Sequence, residues 1–185
     1  MKVNQYSSNK ALKIRVYQIL KQLKANGLNT LLFEQLLQQG KIKFAEEGTQ
    51  SALGIRLFDK KAATVFPGYS WIPNQNFMVY SPGYLVVLRR NTIAELLSGR
   101  FSEWSSSAIT IIHELLHILI HSTGCFLRSP QEEEFLVDAI IRLIQLKSMV
   151  SQNHNHELKI RLKRDLNAVK QRFGSLFCLK VLGFQ

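Results

Sequence analysis

The residues His113-Glu114-Leu115-Leu116-His117 decide how this chain reads, and they sit in an apolar run from Ala108 to Ile120. Two histidines at i and i+4 lie one helical turn apart and project from one face. Their imidazoles can converge on one Zn²⁺, with the glutamate beside them as general base. With the histidine and glutamate content of this chain, such a string arises by accident at roughly the 1 % level. Burying an unpaired carboxylate costs several kcal/mol, so a metal, a water or a cation is expected beside Glu114.

A catalytic zinc takes three protein ligands and keeps one position open. A third histidine six residues after the second is excluded, because Ile120 and Thr123 hold the positions that pattern uses. A glutamate on a following helix is the other source. Ser129-Pro130-Gln131-Glu132-Glu133-Glu134 reads as a helix start: a serine cap, proline at the first position, acids in the first turn. The apolar residues Leu136, Ala139, Ile140, Leu143 and Ile144 then recur at three and four, as a core-facing helix requires. Glu134 and Asp138 are i, i+4 and share a face. Glu134 is the expected third ligand, Glu133 the fallback, and Glu132 the least favoured. Asp138, set among apolar neighbours, is the expected partner of a ligand imidazole N–H. His121 stands one more turn along, about 12 Å of rise from His113, too far to ligate. It reads as a residue behind a ligand, at the pocket rim, or simply as a partly exposed helix end before Gly124.

The string IIHELLHILIH resembles the H-E-L-G-H-x-L-x-H helix of the ImmA/IrrE-type metallopeptidases, and EEEFLVDAIIRLI is similar to that family's downstream helix. The pairing of H-E-x-x-H with E-x-x-x-D also resembles the wider gluzincin group. The likeness runs from about Tyr84 to Leu146, with Leu116 where the family usually has glycine. It implies a zincin-like α+β fold, one zinc per chain on His113, His117 and Glu134, and Glu114 as base. It also implies a substrate that is a specific protein, such as a DNA-binding regulator.

The chemistry expected of such a site is peptide-bond hydrolysis. Zinc lowers the pKa of its bound water and polarises the scissile carbonyl. Glu114 takes the water's proton and delivers it to the leaving amine. The oxyanion needs a further donor, and Tyr80, Tyr84, Arg89 and Arg90 lie upstream as candidates. For each tyrosine alone, ordinary strand packing is the preferred account.

The 185 residues suffice for one domain with a real core. The expected order is N-terminal helices over 1–45, a small antiparallel sheet over 54–90, metal-site helices over 105–150 and a basic C-terminal helix over 154–185. Leu12, Val16, Ile19, Leu20 and Leu23 mark one face of a first helix stopped by Asn26-Gly27, and Asn29 or Thr30 caps a second. Ile55, Leu57 and Phe58 read as a strand, as do Thr64 to Phe66. Phe77 to Tyr80 and Tyr84 to Arg90 read as a hairpin closed by Ser81-Pro82-Gly83. An edge strand there could hold an extended peptide. A short helix is expected at Ile93 to Leu97, before a serine-rich turn.

No run of eighteen apolar residues and no apolar leader occur, so neither a membrane span nor secretion is expected, and the expected setting is the cytoplasm. Cys125 and Cys178 form no ligand-spaced pair and read as free thiols. The net charge is +11. Met1 to Leu32 carries six Lys/Arg and no acid; Lys147 to Gln185 carries eight against Glu157 and Asp165. Glu157 to Phe173 reads as a basic amphipathic helix, whose face suits nucleic acid, an acidic protein or a membrane surface, or is merely solvated. His154 and His156 lie in a polar loop rather than a metal site. Two functions therefore stand: a zinc endopeptidase, or a catalytically weak binding protein on a zincin scaffold that works through its basic face.

Overall fold

A computed structural model describes residues 5–52, 54–57, 62–71, 78–98, 102, 104–125, 127–153, 155–174 and 177–184; for 5–9, 66–71 and 78–82 it describes the backbone alone. Among these residues the chain is α+β, with seven α-helices and a three-stranded mixed sheet. The order is α1 (Gln5–Ala25), α2 (Leu31–Gln38), β1 (Ile42–Glu46), β2 (Ala63–Trp71), β3 (Met78–Leu88), α3 (Arg90–Leu97), α4 (Ser106–Ser122), α5 (Pro130–Asn153), α6 (His156–Phe173) and α7 (Phe177–Val181). No helix among the described residues is long and apolar enough to cross a membrane.

The central element is α4, which carries His113 to His117. Its N-terminus is held by Ser105, whose side chain accepts from the Ala108 amide at 3.3 Å. Its C-terminus ends at Gly124, whose φ of +65° only glycine adopts freely, and the Cys125 amide returns to the Ile120 carbonyl at 3.2 Å. Ile111, Leu115, Leu116, Ile118 and Leu119 are essentially without exposure. A helix this apolar on most of its surface has to lie inside the molecule. It does: α1, α2, α3, α5 and β2 all pack on it.

The sheet corrects the expectation of a purely antiparallel arrangement within 54–90. Its order is β1-β3-β2, with β1 parallel and β2 antiparallel to β3. The stretch Ile42–Glu46, assigned above to the N-terminal helical region, supplies the parallel strand. Its residues alternate: Ile42 and Phe44 join the helical core, while Ala45 turns to a small second cluster with Leu85 and Val87. That cluster is covered by Ile55 and Leu57, which are not in a strand. Their backbones are already engaged, the Ile55 carbonyl by the Gly48 amide and the Leu57 amide by Glu47. Phe58 and Phe77 lie outside the described residues.

Ser81-Pro82-Gly83 is not a hairpin turn; β3 continues through it, with a break in its register against β2. Pro82 is tolerated because β1 begins to pair only at Tyr84, whose amide donates to the Lys41 carbonyl at 2.6 Å. The position two residues earlier on that side meets no strand, so the missing N–H costs nothing. Gly83 is required, since a Cβ there would stand 2.9 Å from the Lys41 carbonyl oxygen. Between the pairs Pro67–Tyr84 and Tyr69–Tyr80 a single β2 residue stands against Ser81, Pro82 and Gly83, so the extra residues of this bulge belong to β3.

The first two helices end near the boundaries that Asn26-Gly27 and Gly40 suggest. The C-terminal region is two helices rather than one: Gly174, at φ +80°, ends α6, and α7 follows, burying Cys178 and Leu179. Both cysteines are free, and burial, with Cys125 beside it, pushes the Cys178 thiol up.

Leu116, 1 % exposed, faces Leu23, Leu28 and Phe33 where the resembled family has glycine. Leu116→Ala should lower unfolding stability by about 2–5 kcal/mol. Ile160→Ala, at a side chain 57 % exposed, should change it by less than about 0.5 kcal/mol. Urea unfolding of the two variants checks both.

Candidate metal centre

The polar line of α4 consists of Thr110, His113, His117 and His121, about one turn apart on a side of the helix that opens to a cleft. The first turn of α5 lies across this line. Ser129 sets that turn by accepting the Glu132 amide at 3.2 Å, and Pro130 opens the helix. Two consecutive glutamates then point to different partners.

Glu134 reaches the imidazole nitrogens that face each other. The Nε2 atoms of His113 and His117 are 3.0 Å apart. Glu134 Oε2 lies 3.1 Å from His113 Nε2, and Oε1 lies 3.7 Å from His117 Nε2. These three side chains form a group that could hold a metal ion. The spacing can be tested against coordination geometry. Ligands at about 2.0–2.1 Å around a tetrahedral ion stand roughly 3.3 Å from one another. The two imidazole nitrogens, 3.0 Å apart, come within a few tenths of an ångström of that value, and with one atom taken from each residue all three donors lie within 4.8 Å of one another, so the donor set suits a metal ion once the Glu134 carboxylate closes on it.

Glu133 sits behind the group. Its Oε1 accepts from His117 Nδ1 at 2.5 Å and lies 3.2 Å from His121 Nε2. With the Nδ1 proton held there, His117 presents the lone pair of Nε2 to the centre, an assignment made from the hydrogen-bond network. Burial, and then the neighbouring His117 ring, hold the His113 imidazole below its ordinary pKa, against the opposing pull of Glu134 and Asp138. The neutral ring is the form that ligates metal.

Glu114 is 5 % exposed and lines the same cleft. The cleft encloses about 760 Å³, within the range of ligand-binding cavities. Its opposite wall is Ala62 to Val65, at the start of the edge strand β2. Ser106, Ile109 and Pro130 close the ends.

The remaining sequence candidates are placed as follows. Asp138 is exposed and acts on His113 through its charge, while Glu133 makes the imidazole hydrogen bond that was expected of Asp138. His121 lies at the cleft rim beside Glu133. Tyr84 hydrogen-bonds Ser122 at 2.8 Å, tying β3 to the end of α4. Arg89 pairs with Glu47 at 3.7 Å and donates to the Leu57 carbonyl. Arg90 pairs with Glu46 at 2.6 Å. None of these last three lines the cleft. The side chain of Tyr80 and all of His154 lie outside the described residues, and His156 opens α6. Sequence reasoning missed the role of Glu133 and the wall at Ala62 to Val65. Adjacent glutamates differ by about 100° around a helix, and which one faces α4 depends on how the helices cross.

Comparison with protein-family models, with curated proteins and with solved structures returned no match.

Calorimetric titration of metal-free protein should show one metal ion per chain. His113→Ala, His117→Ala and Glu134→Ala should each abolish that site, and Glu132→Gln should leave it intact. Glu133→Gln should weaken it about 10–100-fold, as expected when a ligand's supporting carboxylate is altered.

Proposed function

We propose that this chain is a zinc-dependent endopeptidase of zincin-like fold, similar in its metal helices to the ImmA/IrrE-type enzymes. The observation that carries this reading is the convergence of His113, His117 and Glu134 in a cleft that Glu114 also lines. Two imidazoles and one carboxylate are the ligand set of several catalytic zinc sites, and they leave the fourth position for the reaction. When bound, zinc would supply a Lewis acid and a water of lowered pKa.

The chain's own residues do the rest. Glu114 receives the proton of the attacking water and passes it to the leaving amine nitrogen, which departs as a neutral amine. Its burial beside the cationic site raises the strength of that contact relative to water. Glu133 keeps His117 in the ligating tautomer. The Ala62 to Val65 stretch has β3 on one side, where Arg89 already engages the Ala62 carbonyl, and an extended substrate would add as a strand on its other side. A wall of this kind selects a stretch of unfolded or loop backbone and suits a protein or peptide substrate.

Glu114→Gln separates hydrolysis from metal binding. Incubated with a complex peptide mixture and zinc, the wild-type protein should generate new peptide termini detectable by mass spectrometry. The variant should retain one zinc per chain while the cleavage rate falls about 10²–10⁴-fold. Cleavage that persists undiminished in Glu114→Gln would remove the peptidase reading.

A further inference from the structure

A second surface lies on α6, away from the cleft-lining residues. This helix leans on α5 through Leu162, Leu166, Val169 and Phe173 and leaves its opposite side uncovered. Ile160, Arg164, Asn167 and Gln171 follow one another at i, i+4, i+7 and i+11, so they form a single outward line. All four are exposed, Ile160 by 57 %. On one flank of this line stand Lys159, Lys163 and Lys170; on the other stand Arg161, paired with Asp165, and Arg172, whose guanidinium lies over the Phe135 ring. The three lysines have no ion-pair partner among the described residues. Asp165 engages Arg164 at 3.1 Å and Arg161 at 3.8 Å, the sole acid set against this array apart from Glu157 in the first turn.

We propose that the outer face of α6 docks in the major groove of double-stranded DNA. A helix of about 10–12 Å diameter fits a groove about 12 Å wide. Cations on both flanks then meet the phosphates of both strands, while the line between them faces the base edges. The chemistry of that line suits base edges: Asn167 and Gln171 carry amides that pair with adenine, Arg164 a guanidinium that pairs with guanine, and Ile160 an apolar side chain that meets a thymine methyl. An acidic protein would call for the flanking charge but not for this central row. A-form RNA has a major groove too deep and narrow for the helix.

The test is fluorescence anisotropy with a labelled mixed-sequence DNA duplex, over a salt series starting at 50 mM. The wild type should bind, with affinity falling linearly in log–log form as salt rises. Lys159→Gln/Lys163→Gln/Lys170→Gln should weaken binding more than tenfold at the lowest salt and reduce the slope by roughly one for each lysine. Lys10→Gln/Lys21→Gln/Lys41→Gln removes equal charge from other exposed sites and should change affinity less than threefold. Circular dichroism establishes that each variant is folded; should the first melt early, Arg161→Gln/Arg172→Gln reads the opposite flank. No binding by the wild type would overturn the proposal, as would equal losses from the two lysine sets. Equal or tighter binding of an RNA duplex or of poly-glutamate would also overturn it. The DNA readout needs no metal, so its failure and that of the peptidase reading are separable.

Discussion

The burial of α4 is the constraint from which the other positions follow. Its apolar residues face α1, α2, α3 and α5, and the line through Thr110, His113, His117 and His121 opens to a cleft. Imidazoles placed on that line have little room to turn, because the helix carrying them is held on its other sides by close-packed side chains. The group that could hold a metal ion is thus preorganised on the α4 side. The α5 contribution is less enclosed: the Glu134 side chain is 54 % exposed, against 12 % for His117. His113 and His117 stand on a fixed wall and Glu134 on the first turn of a helix at its rim.

The helix α5 serves two sides at once. Its first turn supplies Glu133 and Glu134 to the cleft, and its later turns bury Ile140, Leu143 and Ile144 in the main core. The side left over receives α6. At the far end of that contact the Arg172 guanidinium lies 4.0 Å from the centroid of the Phe135 ring, immediately beside the glutamate pair. Phe135 is 55 % exposed yet not idle; a cation over its face offsets part of the cost of leaving an aromatic ring in water.

Local rules made some of this legible in the sequence. The α4 helix, the serine-proline start of α5 and the glycine stops of α1 and α4 each rest on neighbouring residues, and such signals survive folding. The group that could hold a metal ion was legible for the same reason: the histidines are local to one helix, and the downstream glutamates begin the next. What stayed hidden depends on contacts between distant segments. Ile42–Glu46 has the alternation of a strand, but only Tyr84–Leu88 beside it reveals that it is one and that it runs parallel. Pro82-Gly83 carries every local mark of a turn, and only the absence of a β1 partner opposite Pro82, with the Lys41 carbonyl against Gly83, explains why it is not. Glu133 against Asp138 was a question of helix crossing, which periodicity does not encode.

The parallel pairing of β1 with β3 bears on how the molecule is made. Ile42 leaves the ribosome well before its partner Tyr84. At ordinary translation rates the wait is on the order of seconds. During that time Ile42 and Phe44 have helices α1 and α2 to lean on but no strand to pair with. The nascent chain therefore holds an open, apolar strand edge, the kind of surface that chaperones and neighbouring chains recognise. Completion of the sheet, and with it the wall opposite the metal ligands, waits for β3. Synthesis and the assembly of the cleft are coupled by this one crossing of the chain.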